Sequence, residues 1–278
     1  MPKALVLGGG GLTGIAWEIG VFKGLRNLGV DLGTADLIVG TSAGSVVGAL
    51  IATGVDLDDL LASEMPSEEL GADFDPEQMV AAISALMQAA QSMQELRARI
   101  GALALAAQTV SEDDRLAIIA SRLPRHDWPE RRLLITGVDT ADGKFAVWDK
   151  DSGVPLLLAV AASCAVPGIW PPVTIDGRRY MDGGVRSTNN VDLAAGHDPV
   201  VILAPYTIGL SGSLGDEIKA LGDSRVLIVT PDQLALEAIG PNPLDPSRQS
   251  SALDAGLSQA ASECESIREG WGQALPRR

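Results

Sequence analysis

The pentapeptide Gly40-Thr41-Ser42-Ala43-Gly44 constrains the fold of this chain more than any other segment. It follows a short apolar run, Asp36-Leu37-Ile38-Val39, and leads into Ser45-Val46-Val47-Gly48-Ala49-Leu50-Ile51-Ala52, a stretch suited to a helix. A G-x-S-x-G sequence between strand and helix is the pattern of a nucleophile elbow, where small flanking residues let the backbone turn sharply and leave the serine exposed at the apex. Gly40 and Gly44 are expected to allow the turn, and Ser42 is the candidate nucleophile. A glycine-rich turn without chemistry would read the same way.

The N-terminus repeats the strand–loop–helix arrangement. Ala4-Leu5-Val6-Leu7 precedes Gly8-Gly9-Gly10-Gly11-Leu12-Thr13-Gly14, and Ile15 to Phe22 continues with helical spacing. Glycines permit positive φ, so successive N–H groups near a helix N-terminus can converge on one anion. In an acyl hydrolase that anion is the oxyanion of the tetrahedral intermediate, which makes Gly9, Gly10 and Gly11 the expected oxyanion-hole residues. Gly9 to Gly14 also fits the G-x-G-x-x-G fingerprint of dinucleotide-binding folds. That fingerprint calls for an acidic residue after the second strand, where this chain has Gly40-Thr41-Ser42. A phosphate-binding P-loop fails too, since neither glycine cluster runs on into Gly-Lys-Ser/Thr.

A third segment, Asp182-Gly183-Gly184, follows Arg178-Arg179-Tyr180-Met181. Alone it suits a strand-ending turn. With the other two segments it makes Asp182 the candidate base for Ser42. The set of glycine loop, G-x-S-x-G and later D-G-G resembles the patatin-like phospholipase family, in the same order. The segment Ala162-Ser163-Cys164-Ala165-Val166-Pro167-Gly168-Ile169-Trp170-Pro171-Pro172 looks like the family's lead into the aspartate strand. The resemblance covers about Ala4 to Thr53 and Pro155 to Ala194.

The resemblance implies a patatin-like three-layer α/β fold with a central mixed, mainly parallel sheet covered by helices. It also implies a Ser42–Asp182 dyad that cleaves carboxylic ester bonds of lipids through an acyl-enzyme, with no metal and no organic cofactor. Two positions depart from the family pattern. Thr13 stands where the loop usually carries a basic residue, and Ser187-Thr188-Asn189-Asn190-Val191 replaces the usual Asn-Pro pair. The alternatives carried forward are a catalytically weak scaffold or lipid-binding protein of the same fold, and a nucleotide-binding protein using the Gly9 to Gly14 loop.

The chain has only two histidines, His126 beside prolines and charges and His197 in a turn-like Ala-Gly-His-Asp-Pro. Both read as loop residues, and sequence leaves either available as a base. Asp and Glu number 36 against 21 Lys and Arg, a net charge of −15 that argues against nucleic acid and against electrostatic attachment to anionic membranes. Contact with a membrane or lipid aggregate would be hydrophobic. Cys164 and Cys264 make neither a disulfide framework nor a metal cluster, and Cys164 reads as a packing thiol. Without a signal-peptide pattern or a long apolar stretch, the expected location is cytoplasmic, with signal-less export left open.

At 278 residues the chain could hold one or two domains; a site built from residues near both Gly10 and Asp182 favours one domain over 1–278. Strand-like Arg132 to Val138, Val200 to Leu203 and Arg225 to Val229 alternate with helical stretches, and Lys144 to Trp148 after Asp142-Gly143 reads as a hairpin partner. Residues 56–110 break the alternation and read as a helical insertion or cap over an acyl-chain groove or, equally in kind, as core helices. A C-terminal helix is expected over 250–272, after a proline-rich turn or linker at Pro241 to Pro246. Its partner, and the oligomeric state, are not set by sequence.

Overall fold

The computed structural model describes residues 1–57, 76–210 and 212–272. Its centre is an eight-stranded sheet. The strands are β1 (Ala4–Leu7), β2 (Leu37–Gly40), β3 (Arg132–Asp139), β4 (Phe145–Trp148), β5 (Val173–Ile175), β6 (Arg178–Asp182), β7 (Val200–Leu203) and β10 (Val226–Val229), with β8 (Ile208–Gly209) and β9 (Gly212–Ser213) forming a separate small hairpin. The order is β10-β7-β1-β2-β3-β6-β5, with β4 also on β3. From β10 to β3 every pairing is parallel, whereas β4 and β6 pair antiparallel to β3, and β5 antiparallel to β6. The sheet is therefore mixed and mainly parallel, as the sequence predicts.

Helices cover both faces, which is why the parallel strands are continuous apolar runs rather than alternating ones. Leu5, Leu7, Ile38, Leu133, Ile135, Val201 and Leu203 point to one layer. That layer is built from α1 (Gly11–Asn27), α2 (Ala43–Ala52), α6 (Leu156–Ser163), α8 (Gln233–Ile239) and α9 (Gln249–Trp271). Ala4, Val6, Leu37, Val39, Val200 and Ile202 point to the other, against Val191, Ala194, Leu221 and Leu214 of α7 (Leu214–Ile218).

The sheet register places the functional segments. Leu7 pairs with both Gly40 and Leu203, so the glycine loop after β1 and the elbow after β2 emerge side by side at the carboxyl edge. That edge, where β1 leaves in one direction and β7 lies on its other side, is the crevice in which open α/β sheets place ligands. β6 approaches in the opposite sense and ends with Asp182 opposite Gly137, two residues past the Gly40 partner Ile135.

The role of the C-terminal helix, open in the sequence, is settled by packing: α9 lies against α1. Gly20, Gly24 and Gly256 let the backbones approach closely; a Cβ on Gly256 would press into Trp17 O, and one on Gly24 would come within 2.5 Å of Ala260 Cβ. Trp17 Nε1 donates to Gln259 Oε1 at 3.0 Å, and Trp271 is fully buried. Within the predicted insertion, α3 (Pro76–Ala89) and α4 (Met93–Ala106) are helical. Leu96, Ile100 and Ala104 of α4 pack on Val138, Met181 and Val185 beside the end of β6. The part of that prediction on residues 58–75 lies outside the described residues. Among the described residues no helix is long and apolar enough to cross a membrane.

Two expectations test this packing. Gly256→Ala is expected to destabilise the protein by about 1–3 kcal/mol, because the close α1–α9 approach leaves no room for a methyl; urea denaturation would measure it. Glu18, on α1, is fully buried, and among the described residues neither carboxyl oxygen has a hydrogen-bond partner. Burial pushes its pKa well above 4.5; the nearby Gly8 amide opposes this, but that N–H donates to Leu203 O. With its folded pKa raised above the unfolded 4.5, Glu18 favours the fold most below pH 4.5, and that contribution is lost as pH rises above it. Glu18→Gln is expected to raise the melting temperature more at pH 8 than at pH 4.5, as followed by calorimetry.

Candidate active site

The elbow is a strained turn built around close glycines. Ser42 sits at φ 52°, ψ −116°, a region that non-glycine residues rarely occupy and that marks functional turns. A Cβ on Gly44 would collide with Leu7 O, and one on Gly40 would lie 2.5 Å from Gly44 O. The turn is fastened to the first strand by Thr41 N donating to Leu7 O at 3.1 Å and Gly44 N to Gly8 O at 3.0 Å. At Ser42 side chains join in: its N–H donates to Ser163 Oγ at 2.9 Å, and its C=O accepts from Ser45 N at 2.9 Å, Ser45 Oγ at 2.6 Å and Cys164 Sγ at 3.3 Å.

Asp182 reaches the same point from β6. Its carboxylate is close enough to the Ser42 side chain to feel its hydroxyl, accepts a hydrogen bond from Gly184 N at 2.7 Å, and its N–H donates to Ala165 O at 3.0 Å. It is 5 % exposed. Burial pushes its pKa up to about 6, against the opposing pull of the Ser42 hydroxyl, the Gly184 amide and the Arg115 charge. Beneath the pair, Thr136 Oγ1 donates to Thr41 Oγ1 at 3.0 Å, and Asn190 Nδ2 donates to Thr41 Oγ1 at 2.9 Å and Ser187 O at 2.7 Å. This buried network joins β3, the elbow and the segment after Asp182-Gly183-Gly184.

The glycine loop completes the arrangement. A Cβ on Gly9 would lie 3.6 Å from Ser42 Cβ, so the loop runs directly against the serine. The amides are not equivalent. Gly9 N–H donates to Thr188 O at 2.8 Å, whereas among the described residues no acceptor faces Gly10 or Gly11 N–H. Those two sit at the start of α1, where helix amides lack intrahelical partners. Of the three expected oxyanion residues, Gly10 and Gly11 are the ones whose N–H groups have no acceptor among the described residues. Thr13 is buried and donates through both N and Oγ1 to Pro243 O, at 3.1 and 3.3 Å. The Pro241 to Pro246 segment is therefore an ordered turn tied to the loop. A Cβ on Gly10 would meet Pro205, and one on Gly11 would meet Pro243 O, so both positions are closed to side chains.

Neither histidine belongs to the site. His126 is exposed, and its neighbour Arg125 donates to Thr53 O at the far end of α2, about 15 Å along the helix from Ser42. His197 Nδ1 lies 3.1 Å from Ala194 O, ahead of β7 at the opposite edge of the sheet. The structure brings in residues that sequence reading did not single out. Ser163 and Cys164 lie in the small-residue segment that was noticed, but no spacing rule points from there to Ser42. Cys164 is buried as a packing thiol should be, yet it also hydrogen-bonds at the nucleophile, and burial pushes its pKa up to about 11. Arg115, on α5 (Glu112–Arg122), is 3 % exposed and stacks 3.9 Å from the Trp170 ring centre. No local signal marks it.

Comparison with known proteins finds one matching family and several relatives. A family model described as patatin-like phospholipase matches residues 5–195. An uncharacterized NTE family protein of Mycobacterium tuberculosis is 30 % identical over 212 residues, covering 76 % of this chain and 49 % of that protein. The lysophospholipase nte1 of Aspergillus oryzae is 51 % identical over 53 residues, 19 % of this chain and 3 % of that one. The chain thus spans about half the length, or less, of the curated relatives it matches. Among solved structures, VipD from Legionella pneumophila aligns over 95 % of this chain and 67 % of its own, with 14 % identity and a TM-score of 0.49.

The buried carboxylate carries a measurable stability penalty. A group whose pKa rises from 3.8 to about 6 on folding withdraws about 3 kcal/mol of stability as pH climbs through that interval. Asp182→Asn removes the charge, so it is expected to stabilise the protein by about 1–3 kcal/mol at pH 8 and by nothing below about pH 4. Denaturant unfolding at the two pH values would read the difference.

Proposed function

The chain belongs to the patatin-like phospholipase family, and from that premise we propose that it is a serine acyl hydrolase that cleaves carboxylic ester bonds of lipids through a Ser42–Asp182 dyad. The observation that carries the reading is a serine at a strained elbow whose side chain acts on a buried carboxylate raised to about 6, with both histidines elsewhere. At pH 7 to 8 the carboxylate is ionised, yet more basic than a solvated aspartate, which suits a general base.

Ser42 Oγ attacks the ester carbonyl as Asp182 takes its proton. A carboxylate cannot deprotonate an alcohol at equilibrium, so transfer is concerted with attack and relies on stabilisation of the oxyanion as it forms. The N–H groups of Gly10 and Gly11 at the head of α1 are the donors available for it. Collapse expels the alcohol, which takes the proton from Asp182, and leaves an acyl-enzyme. Asp182 then accepts a proton from the attacking water, and return of that proton to Ser42 frees the fatty acid. The substrate is a phospholipid or other glycerolipid, by family membership and by the lysophospholipase among the relatives.

A fluorophosphonate probe tests the nucleophile without knowledge of the substrate. Labelling at Ser42, located by mass spectrometry, is expected in the wild-type protein and is lost in Ser42→Ala. In Asp182→Asn it is slowed by about 10²–10⁴-fold. Hydrolysis of a p-nitrophenyl ester is expected to show kcat/KM falling below a pH of about 6, as Asp182 becomes protonated. A folded protein that neither labels nor hydrolyses would instead be a lipid-binding scaffold.

A further inference from the structure

Three peptide groups flank the nucleophile, and two of them are held by backbone. Thr41 N and Gly44 N donate to the carbonyls of Leu7 and Gly8, the end of β1 and the start of its loop. The N–H of Ser42 itself is held differently, by the hydroxyl of Ser163, a residue 121 positions away at the end of α6. Ser163 is fully buried. Its neighbours continue the contact: Cys164 Sγ donates to Ser42 O, and Ala165 O accepts from Asp182 N. Three consecutive residues thus grip the backbone of both proposed dyad members. A backbone at φ 52° persists only where its surroundings over-determine it, and an N–H buried without an acceptor is costly.

We propose that Ser163 is the positioning residue of this site: its hydroxyl fixes the Ser42 peptide, and through the adjoining Ala165 carbonyl on Asp182 it sets the spacing between nucleophile and base. The inference rests on the hydrolase reading. Because Ser42 N–H already has an acceptor, it is not free to serve the oxyanion. Cys164 assists from the carbonyl side, where Ser45 Oγ is the closer donor at 2.6 Å, so Cys164 is the less critical of the pair.

The test compares Ser163→Ala, Ser163→Thr and Cys164→Ala with the wild-type protein. Two readouts are used: ester hydrolysis with fluorophosphonate labelling, and amide hydrogen exchange of the peptide containing Ser42. In Ser163→Ala, kcat and the labelling rate are expected to fall by about tenfold to a hundredfold, the scale of an ångström-level misplacement, with KM within about twofold. Exchange at Ser42 is expected to accelerate. Ser163→Thr, which keeps the hydroxyl, restores most of the rate, and Cys164→Ala loses less than Ser163→Ala. An Ala variant that labels as fast as wild type, or Ala and Thr variants equally impaired, would overturn the positioning role while the hydrolase reading stands. A wild-type protein without hydrolysis or labelling would sink the hydrolase reading. Exchange at Ser42 would then still decide whether Ser163 holds this peptide.

Discussion

The site depends on the two hydrogen bonds that tie the end of β1 to the elbow after β2, Thr41 N to Leu7 O and Gly44 N to Gly8 O. They set two strand-to-helix turns side by side, so that the loop of one runs against the serine of the other. Their geometry explains the glycine at 44, where the first strand passes so near the turn that no side chain fits, while the turn's own tightness, with Gly44 O 2.5 Å from where a Cβ would stand, explains the glycine at 40. Parallel pairing of β1 with β2 supplies this alignment, and β6, arriving antiparallel, adds the aspartate from the other direction.

Electrostatics follow from the burial that this packing imposes. Asp182 lies buried at the inner end of its strand with one amide donating to its carboxylate and no ion-pair partner among the described residues, so its pKa rises to about 6 instead of falling as it would in an ion pair. The site thereby holds a charge that the fold would be more stable without, and the function proposed for it makes use of that basicity. Burial likewise raises the pKa of Glu18 in α1, whose carboxyl oxygens have no hydrogen-bond partner among the described residues.

The C-terminal segment is part of the same assembly. α9 packs on α1 through glycines, and the turn ahead of it places Pro243 O on both Thr13 donors. Where the family usually has a basic residue in the glycine loop, this chain therefore has a buried threonine that anchors the loop to a segment 230 residues away. A charge at that position would be buried against the turn. The buried cation whose charge reaches Asp182 is Arg115, from a different helix.

The amino-acid sequence by itself determined the local turns, because small residues and apolar runs act over a few positions. Glycines around Ser42 prescribe the elbow, the run from Gly8 to Gly14 prescribes a loop, and the apolar stretches prescribe strands buried on both faces; together they were enough for the family and the mixed sheet. What only the tertiary structure decided is everything that crosses the chain. Which of Gly9, Gly10 and Gly11 keeps a free amide depends on Thr188 O, the hold on the Ser42 peptide depends on Ser163, and the absence of histidine from the site depends on which sheet edge each loop occupies. Hydrogen bonds between segments more than a hundred residues apart leave no periodicity or spacing in the sequence, since their partners meet only when the sheet register brings them to one edge.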